Sequence, residues 1–308
     1  MKPEPKTDKM SQSKSIAELP YDEAHLRFFL KCCDHTVSRE TFELYEDPRT
    51  GMLVTLPRPS EEELPKYYES DAYISHTDSK TGWMEHIYHV VRDHAIRKKV
   101  QMVLSWNGSR GRILDVGCGT GDFLAACDRD GWQAYGVEPN EKARKNALAK
   151  IGNSEAIAAS LAELKKGSSS PFDVITLWHV LEHVPDLSEY IATIGSLLSE
   201  TGSLVVAVPN FESYDAKHYK EHWAAYDVPR HLWHFNQKAM QKLFEIHGFR
   251  LEAIQPMYFD SFYVSLLSEK YKTGRPRIFR AFFYGALSNW KARRTNQYSS
   301  LIYLLKKR

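Results

Sequence analysis

Two rhythms of apolar and polar residues run along the chain. Trp83, Ile87, Val91, Ile96, Val100 and Leu104 recur at helical spacing and predict a helix over 83–104. Short, β-branched runs then alternate with helical stretches. The runs are RILDV (112–116), WQAYGVE (132–138), AIAAS (156–160), FDVITLW (172–178), SLVVAVPN (203–210), FRLEAIQPM (249–257) and SSLIYLLKK (299–307). One helical stretch runs up to Ile151 and another spans Leu187–Leu198. Strands separated by helices at this spacing form βαβ units, because a parallel pair needs a crossover long enough to bring the chain back. The pattern predicts an α/β fold with a mostly parallel sheet, and a helical or irregular insertion at 262–298 before the last strand.

Upstream the pattern is weaker. Residues 1–18 are rich in Lys, Ser and Pro with no apolar period, the signature of a disordered segment. Residues 19–82 read as a small cap, in which Pro48, Pro57, Pro59 and Pro65 interrupt short apolar runs and Ser60 caps a helix over 61–68. Residues 83–308 form the main domain. No run of 18 apolar residues occurs, so no membrane span is expected. The N-terminal stretch lacks the apolar core of a signal peptide, and the four cysteines, two of them adjacent, make a poor disulfide framework. Both features point to a cytoplasmic protein.

Charge changes the picture at one end. From Lys270 to Arg308 there are eleven Lys and Arg and no Asp or Glu, so the preceding residues hold 30 basic and 39 acidic groups. Such a segment either packs as a solvated face against the acidic body or meets an anionic partner: a phosphorylated substrate, nucleic acid or a membrane surface.

The chemistry concentrates after the first main strand. Asp115-Val116-Gly117-Cys118-Gly119-Thr120-Gly121 follows a strand and opens a helix, where glycines permit a tight turn and close approach of backbone to a ligand. The G-x-G-x-G spacing is one residue shorter than a dinucleotide loop. Asp115 would repel a pyrophosphate but suits a ligand with an ammonium group. Glu138 ends the next strand, placed to accept both ribose hydroxyls. The implied ligand has a ribose, a cationic end and no phosphate, as S-adenosylmethionine does.

ILDVGCGTGDFL, GVEPN and FDVITLWHVLEHVPD resemble the first, second and fourth motifs of class I S-adenosylmethionine-dependent methyltransferases, in order and separation, over roughly 83–260. The resemblance implies a doubly wound, seven-stranded sheet whose last strand is antiparallel. It implies that Asp115, Gly117, Cys118, Gly119 and Gly121 line the methionine portion of the cofactor and that Glu138 binds the ribose. By the same resemblance Pro139, Ser160 and Leu161 lie beside the adenine, and His179, after Trp178, stands at the reactive end.

Residues 31–75 resemble a cap found before this domain in bacterial methyltransferases of saccharide and envelope gene clusters. That cap usually carries a zinc ribbon. Here Asp47-Pro48-Arg49-Thr50 stands in place of the second cysteine pair, and Cys32-Cys33 alone cannot close a tetrahedral site. No metal is expected.

Methyl transfer requires a nucleophile held in line with the sulfonium carbon, and a base only where the acceptor must lose a proton. His183, in His-Val-Leu-Glu-His (179–183), and His231 are candidate bases, His231 the first choice. The loop after the fifth strand also carries Asp227, the aromatics Trp223, Tyr226 and Trp233, which either cover the sulfonium or pack in the core, and Arg230 to clamp a carboxylate or phosphate. Together these residues point to a methyltransferase acting on a small, anionic acceptor such as a saccharide or envelope-precursor intermediate. The rival readings are a nucleic-acid methyltransferase, which the basic tail favours, and a catalytically silent cofactor-binding subunit.

Overall fold

In the computed structural model, which describes residues 23–60, 62–68, 83–151, 156–167 and 170–308, the chain begins as an antiparallel run. The segment 1–18, read as disordered, lies outside the described residues. β1 (Arg27–Cys33), β2 (Thr41–Glu46) and β3 (Leu53–Leu56) pair in sequence order, and α1 (Trp83–Asn107) follows. Then come β4 (Arg112–Val116), α2 (Asp122–Arg129), β5 (Gln133–Val137), α3 (Glu141–Ile151), β6 (Ile157–Ala158), α4 (Leu161–Gly167) and β7 (Phe172–Trp178). The chain continues through α5 (Leu187–Leu197), β8 (Leu198–Pro209), α6 (Tyr214–Tyr219), β9 (Trp233–His234), α7 (Gln237–Ile246) and β10 (Phe249–Pro256). α8 (Asp260–Thr273), α9 (Ile278–Thr295) and β11 (Ser300–Lys307) complete it.

Seven strands order as β10-β11-β8-β7-β4-β5-β6. Those from β4 to β8 run parallel, and β11 inserts antiparallel to both β8 and β10. This is the doubly wound sheet the sequence predicts. Its central strands are apolar on both faces, with Ile113, Leu114, Val174, Ile175 and Leu177 fully buried, because helices cover the sheet from either side. One core packs Leu187, Ile191, Leu243 and Phe244 onto the sheet, and the other Val100, Val103, Leu124 and Ala147. No helix among the described residues is long and apolar enough to cross a membrane.

The structure departs from the pattern in three places. β8 begins at Leu198 rather than 203, and the helix expected over 61–68 is a 3-10 turn, Leu64–Tyr68. The insertion is a helical pair broken at Gly274, whose φ of 72° is a conformation glycine favours. It is tied down at Asp215, which accepts from Ser288 Oγ of the insertion and from Trp223 Nε1 and Ser299 Oγ outside it, at 2.6–2.8 Å.

The cap is not confined to residues 19–82. Its sheet is β1-β2-β3-β9, with Leu53 opposite His234 and Val54 opposite Trp233, so the loop after β8 supplies its fourth strand. Thr55 Oγ1 donates to the His231 carbonyl at 2.7 Å. Beside this seam lies a buried ionic tie. Arg230 donates to both oxygens of Asp227 at 2.6 and 2.9 Å, to Asp34 of the cap at 3.2 Å and to the Tyr67 carbonyl at 2.8 Å.

Breaking such a buried pair from one side leaves an uncompensated charge. The side chains of Arg230 and Asp34 are 3% and 0% exposed. Asp34→Ala should therefore lower stability by about 3 kcal/mol in urea unfolding. A loss no larger than that of a surface substitution would show that the tie does not hold the cap.

Candidate functional site

The turn after β4 is built on glycine. Gly117, Gly119 and Gly121 have φ of 72°, 56° and 78°, in the left-handed region. A Cβ at Gly117 would lie 2.5 Å from Val180, and one at Gly121 2.6 Å from Ala147 of α3. At Gly119 a Cβ would enter open space, so this glycine faces room rather than packing. The backbone amides of Gly117 and Cys118 donate to the Val137 carbonyl at 2.7 and 3.0 Å, fastening the turn to the end of β5. Just beyond, Glu138 accepts from the amides of Gly119 and Asn140, both at 2.8 Å. Each of its oxygens keeps a second lone pair.

Asp115 is buried and accepts from the Thr176 hydroxyl at 2.6 Å. Burial pushes its carboxyl up to about 7, against the Thr176 hydrogen bond and the Lys99 charge. A cation arriving here would therefore meet an acid poised to ionise. The other expected cofactor residues scatter. The Cys118 and Leu161 side chains turn into the cores, Ser160 Oγ accepts from the Glu163 amide to cap α4, and Pro139 is exposed.

A cavity of about 350 Å³ opens beyond the carboxyl ends of β7 and β8. His179, Glu182, Asp227, Arg230, His231 and Asp260 give it a polar side. Tyr67 of the cap and Tyr263, Leu267 and Tyr271 of α8 give it an apolar one. Sheets of this kind bind ligands at this edge.

The polar side is ordered by its hydrogen bonds. His179 lies between two carboxylates, its Nδ1 3.3 Å from Glu182 and its Nε2 3.1 Å from Asp260. Burial opposes protonation, but the two carboxylates outweigh it and hold the ring up to about 10. His179 is thus an imidazolium with no lone pair to act as a base. Burial alone would raise Glu182, and the His179 hydrogen bond brings it below its ordinary value instead. Its second oxygen, Oε2, is buried and has no hydrogen-bond partner among the described residues.

His183 and His231 stay in contact behind it, rings edge-to-face at 4.6 Å. His231 Nδ1 lies 2.9 Å from the Ala225 carbonyl and donates to it, which in the neutral ring leaves the lone pair on Nε2. His183 Nδ1 lies 3.1 Å from the Arg230 carbonyl and 3.1 Å from the Tyr68 hydroxyl. Burial, and then the closeness of the His231 ring, lower His183 to about 4, so its ring is neutral. One ligating atom each from Glu182, His183 and His231 fall within 4.8 Å of one another.

Two expectations change. Arg230, expected to clamp an anion, already donates to Asp227, Asp34 and the Tyr67 carbonyl. Of the two places open to Trp223, Tyr226 and Trp233, over the sulfonium or in the core, all three take the core, at most 3% exposed. Asp227 was named only as part of its loop, and Glu182 and Asp260 were assigned no role. The i, i+3 spacing of His179 and Glu182 could have flagged the glutamate, whereas Asp260 arrives from the insertion with no local signal.

A family model described as "Methyltransferase domain" matches residues 84–254. Among similar curated proteins, the ubiquinone biosynthesis O-methyltransferase of Caulobacter sp. (strain K31) is 36% identical over 106 residues, 32% of this chain and 41% of that one. Its counterpart in Rhodopseudomonas palustris (strain TIE-1) is 31% identical over 125 residues, 39% of this chain and 49% of that one. The chain spans less than half the length of each. The fold is similar to that of magnesium protoporphyrin IX methyltransferase from Synechocystis PCC 6803, solved with bound S-adenosylhomocysteine, at a TM-score of 0.53 and 14% identity, over 81% of this chain and all of that one. It is also similar to 1,6-didemethyltoxoflavin-N1-methyltransferase from Burkholderia thailandensis, at a TM-score of 0.51 and 16% identity, over 90% of this chain and 99% of that one.

The His179 ion pairs carry a pH signature. Folded His179 keeps its proton to about 10, against an ordinary value of 6.5. Its contribution to stability is therefore complete below pH 6.5 and declines as the pH rises towards 10. The stability gap between the wild type and His179→Gln should narrow over that range in urea melts. A gap independent of pH would mean that the ring is neutral when folded.

Proposed function

The chain belongs to the class I S-adenosylmethionine-dependent methyltransferases, and from that premise we propose that it methylates a hydroxyl oxygen of a small, largely apolar acceptor held in the 350 Å³ cavity. The cradle after β4 fits the cofactor. Glu138 keeps lone pairs for two ribose hydroxyls, Asp115 suits the ammonium of the methionine end, and the room above Gly119 is what close approach to the backbone requires. When bound, S-adenosylmethionine supplies an electrophilic methyl group on a sulfonium.

The observation that carries the reading is His231. Its tautomer is set by the Ala225 carbonyl, and it presents a basic nitrogen beside a cavity at the carboxyl edge of the sheet. That nitrogen takes the acceptor's proton, His183 backs it, and the walls hold the oxygen in line. Positioning supplies most of the acceleration, with reacting atoms about 3 Å apart. His179 and Asp260 keep the polar side rigid while Tyr263 and Tyr271 exclude water.

The walls also bear on the acceptor. Arg230 is committed to two carboxylates and His179 to two more, so neither offers a free positive charge to an anion. The basic residues of the tail lie elsewhere: Arg275 and Arg277 are exposed at the turn between α8 and α9, and Arg280 lies 3.4 Å from Glu269. An apolar, ring-bearing hydroxyl compound suits tyrosine and leucine walls better than a saccharide, and the O-methyltransferase names of the curated relatives agree with oxygen as the nucleophile.

Calorimetry with S-adenosylhomocysteine should show stoichiometric binding that tightens between about pH 6 and 8, as Asp115 ionises from its value of about 7. Glu138→Ala should weaken it by about 1.5–3 kcal/mol, the range for hydrogen bonds to a charged group. Absence of binding in the folded wild type would overturn the reading. With a panel of phenolic and alcoholic acceptors, His231→Ala should lower kcat by about 10²–10⁴ and leave S-adenosylhomocysteine affinity unchanged. Turnover at the wild-type rate would remove His231 from the chemistry.

A further inference from the structure

We propose that the outer face of α9 docks on an anionic lipid bilayer. Its aromatic side chains enter the boundary between headgroups and acyl chains, and the basic side chains around them meet the lipid phosphates.

The first argument is the division of the helix into two faces. Ala281, Gly285, Ser288 and Ala292 recur at i, i+4, i+7 and i+11 and are buried. This stripe of small residues seats α9 on α8: a Cβ at Gly285 would lie 2.8 Å from the Phe262 ring. The packing of α9 is met on that side, so a helix in water should be polar on the other. It is aromatic instead. Phe279, Phe283 and Trp290 recur at i, i+4 and i+11 on the opposite side of the helix, and Phe282 borders them. Phe279 is 94% exposed and the other three are more than half exposed. A cluster of this size marks an interaction surface, where a single exposed ring would not. The opening of α8 extends it. Tyr258, Phe259 and Tyr263 are about half exposed, and Asn289 of α9 donates to the Tyr258 carbonyl at 2.8 Å, which holds that end of α8 beside α9.

The second argument is charge, and it selects the occupant. Arg275 and Arg277 precede α9 and Arg293 and Arg294 close it, all exposed, and no Asp or Glu occurs from 270 to 308. In a symmetric contact a second copy of the chain would bring the same positive face against itself. An anionic bilayer matches both features at once, since Phe and Trp side chains settle at the acyl boundary and each Lys or Arg near the surface is drawn to the headgroups. Arginine suits the border because its stem lies along apolar surface while its charge stays in water. With its inner face packed on α8, α9 lies along the bilayer and does not cross it.

Docking also bears on the acceptor. Tyr263 is half exposed at the edge of the patch and lines the cavity. A hydroxyl compound dissolved in the bilayer then reaches the cavity past this ring without crossing water. This consequence rests on the methyl-transfer reading, but the docking does not.

The experiment sediments the full chain with vesicles of phosphatidylcholine alone and of equal parts phosphatidylcholine and phosphatidylglycerol. Binding should require the anionic lipid and weaken as salt rises, because screening shortens to about 8 Å at physiological strength. Phe279→Ser/Phe283→Ser should weaken binding at least about tenfold, since it removes the apolar area that enters the boundary. Arg275→Ser/Arg277→Ser should weaken it about fivefold for each charge, the ratio that corresponds to about 1 kcal/mol. All four side chains are exposed, and urea unfolding should show the variants folded like the wild type. Anionic vesicles should shift the wild-type tryptophan emission to the blue, and Trp290→Phe should diminish that shift. A wild type that stays in the supernatant with anionic vesicles at low salt overturns the docking. A phenylalanine variant that binds as tightly as the wild type overturns it as well, as adsorption by charge alone. Analytical ultracentrifugation decides against the other occupant: a wild-type dimer that Phe279→Ser/Phe283→Ser dissolves would make this face a contact between copies. Calorimetry with S-adenosylhomocysteine on the same batch keeps the two claims apart, because cofactor binding without vesicle binding removes the docking and leaves the methyltransferase reading standing.

Discussion

The buried guanidinium of Arg230 is the tie on which the functional end of the molecule depends. A charge at 2% exposure survives only with compensation, and here the partners come from three separate segments: Asp34 of the cap, the Tyr67 carbonyl and neighbouring Asp227. Satisfying it forces the cap down onto the carboxyl edge of the sheet. It also fixes the local backbone, and the Arg230 and Ala225 carbonyls set there are the acceptors that orient His183 and His231. Side-chain chemistry in the cavity is thus governed by a salt bridge that takes no part in it.

Charge in the cavity is arranged in alternation. Asp260 and Glu182 flank the His179 imidazolium, and Asp227 faces Arg230, with its Oδ2 4.0 Å from His231 Nε2. Each carboxylate that burial would neutralise stays ionised because a cation faces it. One oxygen of Glu182 is left over, buried without a hydrogen-bond partner among the described residues, and beside it burial keeps His183 neutral. The polar side therefore offers no free cation to an anionic ligand, although the tail taken alone suggests the reverse.

What could be read from the sequence follows from how local each feature is. The parallel strands announce themselves as β-branched runs because both of their faces are buried, and the glycine turn, Asp115 and Glu138 sit at fixed offsets from strand ends. Cys118 and Leu161 were assigned by position in the motif, yet their side chains point to the cores, since a loop that holds a ligand through its backbone leaves its side chains free to pack elsewhere. β9 has two residues, too few to show an alternation, so its membership of the cap sheet is invisible until β3 lies beside it. The Arg230–Asp34 pair spans 196 residues. No pattern along the chain encodes that partnership, and without it Arg230 reads as a free anion clamp.

The basic tail shows how composition and placement diverge. Its charges spread over the outer surface, several against acids of the body: Arg280 with Glu269, Lys307 with Glu200 and Arg308 with Glu245. Glu269 is buried, but the Arg308 pair is exposed on both sides and contributes little, and none of these basic side chains lines the cavity. The insertion contributes inward through other residues. α8 turns Tyr263, Leu267 and Tyr271 to the cavity and opens with Asp260, whose carboxylate holds His179 protonated. Protonated His179 in turn fixes one oxygen of Glu182, while the other stays buried without a hydrogen-bond partner among the described residues. A segment conspicuous in the sequence for its positive charge thus acts on the site through its one inward-facing acid.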